Sequence, residues 1–262
     1  MSGRAVKLWA VLLPVLLVAA AYASAEMEQK GDLRISVEGR LSPHALPRKG
    51  AAPVSVQVGG QISTTDGTAP PQLRELTIEI NRHGHFDFTG LPSCKLSQIQ
   101  PASDSRALAN CRAALVGEGH FAGTVALPGS TEALPMEGRL LLFNGHQHGR
   151  PVLFGHIYSP HPFSSSFVLV FEMKTAAHGE YGTTLTANLA KALGAKRNLD
   201  SIEMTLSRRY RYRGGSHSYI SAGCPAPKGA SMVIFSLART TFSFAGGKEL
   251  IATLPRSCRA KG

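Results

Sequence analysis

The chain has 262 residues, 43% of them apolar and 17% charged, and a formal net charge of +11. That apolar content supports a buried core and excludes a disordered chain. The charge bears on solubility and partners rather than on fold, and it favours anionic surfaces.

Residues 1–25 read as a signal peptide. Arg4 and Lys7 form a positive front, Leu8 to Ala21 is apolar with one Pro14, and Ala23-Ser24-Ala25 is the small-x-small pattern that precedes cleavage. The apolar run falls short of the roughly 20 residues a spanning helix needs. The alternative is an uncleaved anchor. Cleavage before Glu26 removes two of the 28 basic residues and none of the 17 acidic ones, leaving +9. The expectation is a secreted protein, or one on the exterior of the cell envelope, with no transmembrane segment after cleavage.

From Glu26 the pattern is that of short strands. Leu33–Val37 alternates, residues 42–53 read as a loop, and Val54, Val56 and Val58 alternate with Ser55 and Gln57. Leu76, Ile78 and Ile80 do the same before a turn at Asn81-Arg82-His83-Gly84. One helix is expected near 104–116. Ser103 or Asp104 caps it, Gly117 ends it, and Leu108, Cys111 and Leu115 share a face. Strands resume at His120–Leu127, Arg139–Phe143, Val152–Tyr158 and Phe167–Glu172. The run Phe167–Phe171 is apolar on both faces, as in a central strand covered on both sides. Further strands are expected at Thr183–Leu189, Ile202–Tyr212, Met232–Leu237, Thr241–Phe244 and Leu250–Leu254, with Ala187–Leu193 open to a helical turn instead. These elements predict an all-β protein, a β-sandwich of many short antiparallel strands with one short helix, over residues 26–262. The alternative divides the chain near 174–182 into two small β domains. An outer-membrane barrel fits poorly, because several runs are too short and aromatics make up only 7%.

Cys94, Cys111, Cys224 and Cys258 are an even set with no C-x-x-C, as in a disulfide-bonded exported chain. Of the three pairings, Cys94–Cys111 and Cys224–Cys258 close the two shortest loops, and the first would staple the helix to the sheet.

Residues 207–215, SRRYRYRGG, carry the main candidate site. In an extended strand Ile202, Met204, Leu206, Tyr210 and Tyr212 share the core face, with Arg208 among them. Arg209, Arg211 and Arg213 share the other face at intervals of about 6.5–7 Å. Such a ladder suits the phosphates or carboxylates of an extended polymer, or else protects an exposed edge. A buried Arg208 needs a partner.

His146, His148 and His156 are the candidate metal ligands. A two-residue turn centred on Gly149–Arg150 would set His146 opposite Leu153 and His156 opposite Phe143, on different faces; an odd loop would bring them together. Ser216 and Ser218 share a face that His217 does not, so they form no dyad with it. Glu118, Glu172, Glu180 and Glu203 are candidate acids for a hydrolase, and the spacing picks no pair. No cofactor is implied, and nothing points to a specific nucleic acid.

The segments EINRHG, GLPSC, NCRAALVGEG, HGRPVLFGHIY, RRYRYRGGSHSYISAGCPAPKG and SCR resemble a set of exported bacterial proteins of unknown function, over most of the mature chain. The resemblance implies export and paired cysteines, and no functional residue is carried over. The sequence therefore reads as a non-catalytic exported module that meets an anionic envelope polymer or surface through Arg209, Arg211 and Arg213. The alternative is a hydrolase or metalloenzyme built on the His-containing hairpin.

Overall fold

The computed structural model describes residues 25–127, 129 and 132–261. Of the expected leader, residues 1–25, all but Ala25 lie outside the described residues. The first half of the chain forms β1 (Glu26–Lys30), β2 (Leu33–Ser42), β3 (Ala45–Pro47), β4 (Ala52–Pro53), β5 (Ser55–Thr64), β6 (Leu73–Asn81) and β7 (Gly84–Phe86). Two helices follow, α1 (Leu96–Ile99) and α2 (Asp104–Cys111), the second running into a tighter turn at Arg112–Ala114. Then come β8 (Leu115–Ala126), β9 (Ala133–Gln147), β10 (Arg150–Ser159), β11 (Ser165–Thr175), β12 (Tyr181–Asn188), α3 (Leu189–Leu193) and β13 (Arg197–Leu206). The chain continues through β14 (Arg209–Tyr212), β15 (Gly215–Ser218), β16 (Ile220–Ala222), β17 (Met232–Phe244) and β18 (Glu249–Lys261).

The all-β class is that of the structure. Among the described residues thirteen strands form one sheet in the order β1-β2-β5-β13-β8-β9-β10-β11-β12-β6-β17-β18-β3. Neighbours are antiparallel except β3, which lies parallel to β18. The two layers of the sandwich belong to this one sheet, which curls back on itself. Across the interior the Phe242 ring of β17 lies 3.6 Å from where a side chain on Gly60 of β5 would begin. Alternation explains the inner face: Leu33, Ile35, Val37 and Leu41 of β2 are buried between more exposed neighbours. Each such aliphatic side chain contributes about 1.5–3 kcal/mol by leaving water. Residues 174–182 turn from β11 into β12, whose strands pair directly.

β9, β10 and β11 are covered on both faces. Leu140, Leu142, Phe167, Leu169 and Phe171 join the interior core. Leu141, Phe143, Phe154 and Val168 face outward into a second core beneath α1 and α2, with Ile99, Ala107 and both Cys94 and Cys111. Cys94 is bonded to Cys111 and Cys224 to Cys258, with Cα separations of 5.6 and 5.8 Å. The Ser103 hydroxyl accepts from the Arg106 N–H at 3.5 Å and starts α2.

Several boundaries differ from the sequence reading. The helix is shorter than 104–116, because Leu115 already pairs with Phe143 in the sheet. The loop at 42–53 contains the short strands β3 and β4. Met232–Leu237 and Thr241–Phe244 are one strand carrying a bulge between Ser236 and Ala238. β12 runs through Asn188, and the helical turn begins only at Leu189. The long strand Ile202–Tyr212 is broken at Ser207-Arg208 for a local reason. Leu206 pairs with Val56 of β5 and Gly117 of β8, where both ladders with β13 end, so the chain leaves the sheet.

Candidate functional site

The segment that leaves the sheet folds on itself. Among the described residues β14 and β15 pair only with each other, Arg209 opposite Ser218 and Arg211 opposite Ser216. Arg213 and Gly214 form the two-residue turn, both with positive φ (47° and 79°), the geometry hairpins of this length favour. The inner face is pinned to the segment after β7. The Tyr210 hydroxyl donates to the Asp87 carbonyl at 3.3 Å, and the Tyr210 ring stacks on His217. His217 Nδ1 lies 2.9 Å from Asp87 Oδ2. The Tyr212 ring covers Gly90, where a side chain would begin 2.2 Å from the ring, so only glycine fits.

This anchoring leaves Arg209, Arg211 and Arg213 exposed. Arg209 and Arg211 share the outward face of β14. Arg213 projects from the turn instead of continuing a ladder, and its guanidinium lies over the Tyr212 ring at 5.2 Å. Arg208 sits at the root of the hairpin. Its Nε is shielded from solvent and has no hydrogen-bond partner among the described residues. The carbonyl of Arg208 accepts from the Tyr219 N–H at 2.9 Å, which holds the root in place.

A trough runs from that root along the outer face of β13, β8 and β9. Cross-strand register builds it: Glu38 lies opposite Gly59, Gly59 opposite Glu203, Glu203 opposite His120, and His120 opposite Arg139. Two adjoining hollows of about 980 and 630 Å³ share His120, Arg139 and Glu203. Glu38, Glu137 and His161 line the larger; Glu118, Thr205, Ser207 and Arg208 line the smaller. Arg139 pairs with Glu118, and the Gln57 amide donates to Glu203. Four carboxylates against two guanidiniums make the trough acidic on a basic protein. Its surfaces can accept hydrogen bonds from hydroxyl groups and would repel a polyanion everywhere except at Arg208 and Arg139. The floor is set by glycine: a side chain on Gly119 would begin 1.8 Å from the Glu203 carbonyl oxygen, so β8 and β13 approach more closely there than any other residue allows.

The three histidines are not brought together. His146 is exposed, with Nδ1 3.1 Å from Ser93 Oγ. His148 occupies the β9–β10 turn at φ 51°. The turn is even but centred on His148–Gly149, so His146 pairs with Pro151 and His156 with Leu141. His156 is 0% exposed beneath α2, its Nε2 3.5 Å from Asp104 Oδ1. Burial holds its pKa down at about 4. Among the described residues no three His, Cys, Asp or Glu side chains gather to hold a metal ion. Of the candidate acids, Glu118 and Glu203 meet in the trough, while Glu172 lies within β11 opposite Val152 and Thr186, in a hollow shared with His148 and Arg150, and Glu180 lies in the β11–β12 connection. Ser218 is buried and its hydroxyl donates to the Ile220 carbonyl at 2.8 Å.

Sequence reasoning missed His120, Arg139 and Glu38. Each is an outward residue of an amphipathic strand, and only the pairing of strands far apart in the chain aligns them. No helix among the described residues is long and apolar enough to cross a membrane. The chain matches no family model, no curated protein and no solved structure, so function rests on this geometry.

Proposed function

We propose that the protein is an exported, non-catalytic module that binds an anionic envelope polymer through the β14–β15 hairpin. The observation that carries this reading is the hairpin itself. It stands off the main sheet, and its aromatic side is spent on anchoring, which leaves three arginines on the solvent side. Guanidinium groups bind phosphate or carboxylate in two-point fashion, and a preorganised hairpin loses little entropy on binding. The two disulfides are compatible with an oxidising exterior.

Polygalacturonate and long-chain polyphosphate are suitable probes. Binding of at least one is expected to fall steeply between about 50 and 200 mM salt. Arg209→Ala with Arg211→Ala should weaken it by roughly tenfold at low salt, through lost charge-assisted contacts. Arg213→Asn keeps the turn, which asparagine tolerates, and should weaken it less. Unchanged affinity in the double variant overturns the reading.

One observation favours a second reading, a glycoside hydrolase. Glu118 and Glu203 are diagonal neighbours on adjacent strands, in a trough that also holds His120 and Arg139. Paired carboxylates across an open groove are what glycosidic bond cleavage requires. Release of reducing ends by the wild type, abolished by Glu203→Gln, would favour this reading over the first.

A further inference from the structure

The interior of the curled sheet is incompletely packed at one end. A void of about 60 Å³ lies there, several times the roughly 10–15 Å³ that one water-sized sphere needs. Val56, Val58, Ile78, Ile80, Leu153 and Phe171 are among its walls, and apart from Ser221 every lining residue is apolar or glycine. Four of these, Val56, Val58, Ile78 and Ile80, remain only half-buried although they face inward. A hollow with such walls offers a water few hydrogen-bond partners and has room for an apolar guest.

A small sheet, β4-β16-β7, closes this end, and Gly84 of β7 lines the void on one side. On its other side Gly84 lines a surface cleft of about 460 Å³. That cleft is cationic and greasy at once. Phe86, Phe88 and Met173 supply apolar surface, Arg82, Arg150 and His85 supply positive or neutral polar groups, and among the described residues no carboxylate lines it. Arg82 is held against the β11–β12 connection, where Nε donates to the Gly179 carbonyl and Nη1 to that of Ala177 at 3.5 Å. Its Nη2 is shielded from solvent and has no hydrogen-bond partner among the described residues. Behind Phe86 and Phe88 lies Tyr219, 0% exposed, its hydroxyl likewise without a partner among the described residues. A buried donor without an acceptor is destabilising.

We propose that this end of the molecule binds a single-chain anionic amphiphile, its head group between Arg82 and Arg150 and its alkyl chain over Phe86, Phe88 and Met173 towards the void behind Gly84. A carboxylate or a phosphate is attracted by the guanidiniums of Arg82 and Arg150 that line the cleft, and the chain covers the apolar walls. A cationic amphiphile meets repulsion from both arginines, and a polymeric anion has no use for the void. The site is separate from the arginine hairpin, so either can fail without the other.

The test is calorimetric titration of the full chain, below the micellar concentration, with dodecanoate, with a lysophosphatidate of the same chain length, and with dodecyltrimethylammonium. Saturable binding of dodecanoate or the lysophosphatidate is expected, about tenfold or more tighter than the cation, as charge-assisted head-group contacts require. The tighter of the two anions identifies the head group. Arg150→Ala, a change at an exposed side chain, should weaken the anions by roughly tenfold and, by relieving repulsion, leave the cation bound no more weakly than before. Methyl resonances of Val58, Ile78 and Ile80 should shift on addition of the bound anion, a reading that needs no variant. Equal affinity for anion and cation, full affinity in Arg150→Ala, or unmoved methyl signals each overturns the proposal.

Discussion

His156 shows how one side chain can set the acid limit of the fold. It lies on the outward face of β10, opposite Leu141 and Val168, and α2 closes over it. Burial disfavours the imidazolium and holds the pKa at about 4 against an ordinary 6.5; the nearby Ile99 backbone pulls the other way and is outweighed. Asp104 on α2 is the facing acid, and burial pushes its pKa up, with Arg139 opposing. As the pH falls through 6.5, the unfolded chain takes up a proton that the folded chain refuses until about 4. Stability is therefore lost across that window and levels off below it. A displacement of that size corresponds to about 3 kcal/mol, against which the raised pKa of Asp104 contributes with the opposite sign. His156→Phe should keep most of its stability at pH 7 and lose much less than the wild type between about pH 6.5 and pH 4 in urea unfolding. Parallel loss in the two proteins would place the acid sensitivity elsewhere.

At the scale of the element, the α1–α2 excursion is a lid over the outer face of β9, β10 and β11. Short helices of four and eight residues are unstable alone. They hold because Ile99, Ala107 and Cys111 bury against Leu141, Phe143 and Val168, and because Cys94 fixes Cys111. Replacing both cysteines by alanine should cost about 3 kcal/mol, the expectation for a loop of this length. The loss should be local: amide exchange should quicken over residues 96–111 and not in β2, β5 or β17. In the same variant His156 should meet water and its pKa should rise towards 6.5, readable from its imidazole resonances. Uniform quickening through the sheet would mean that the disulfide supports the whole fold and not the lid.

The whole molecule sets the limit of what sequence reading can reach. Period-two alternation marks strands such as β2 because each strand carries its own record of inside and outside. The helix is legible from Ser103 and the spacing of Leu108 and Cys111. The end of β13 is not legible, because it depends on where β5 and β8 run out. The row Glu38, Glu203, His120 and Arg139 is not legible either, since it exists only once β2, β13, β8 and β9 are in register. The closure of the sheet is a fact of the same kind. The outer strands β1–β2 and β17–β18, from opposite ends of the chain, meet without a ladder between β2 and β18. Leu254 packs where a side chain on Gly39 would stand, and Arg256 reaches across. Its Nε donates to the Gly39 carbonyl at 2.7 Å, and its Nη1 lies 3.8 Å from Glu26 Oε1. A charged donor on a half-buried carbonyl contributes about 2 kcal/mol. Arg256→Met keeps the apolar stem and removes the donor, so it should cost about that much. The seam should open before the rest: exchange should quicken in β1, β2 and β18 while β9, β10 and β11, covered on both faces, stay protected. If Arg256→Met instead leaves stability and exchange unchanged, packing of Leu254 on Gly39 alone closes the sheet.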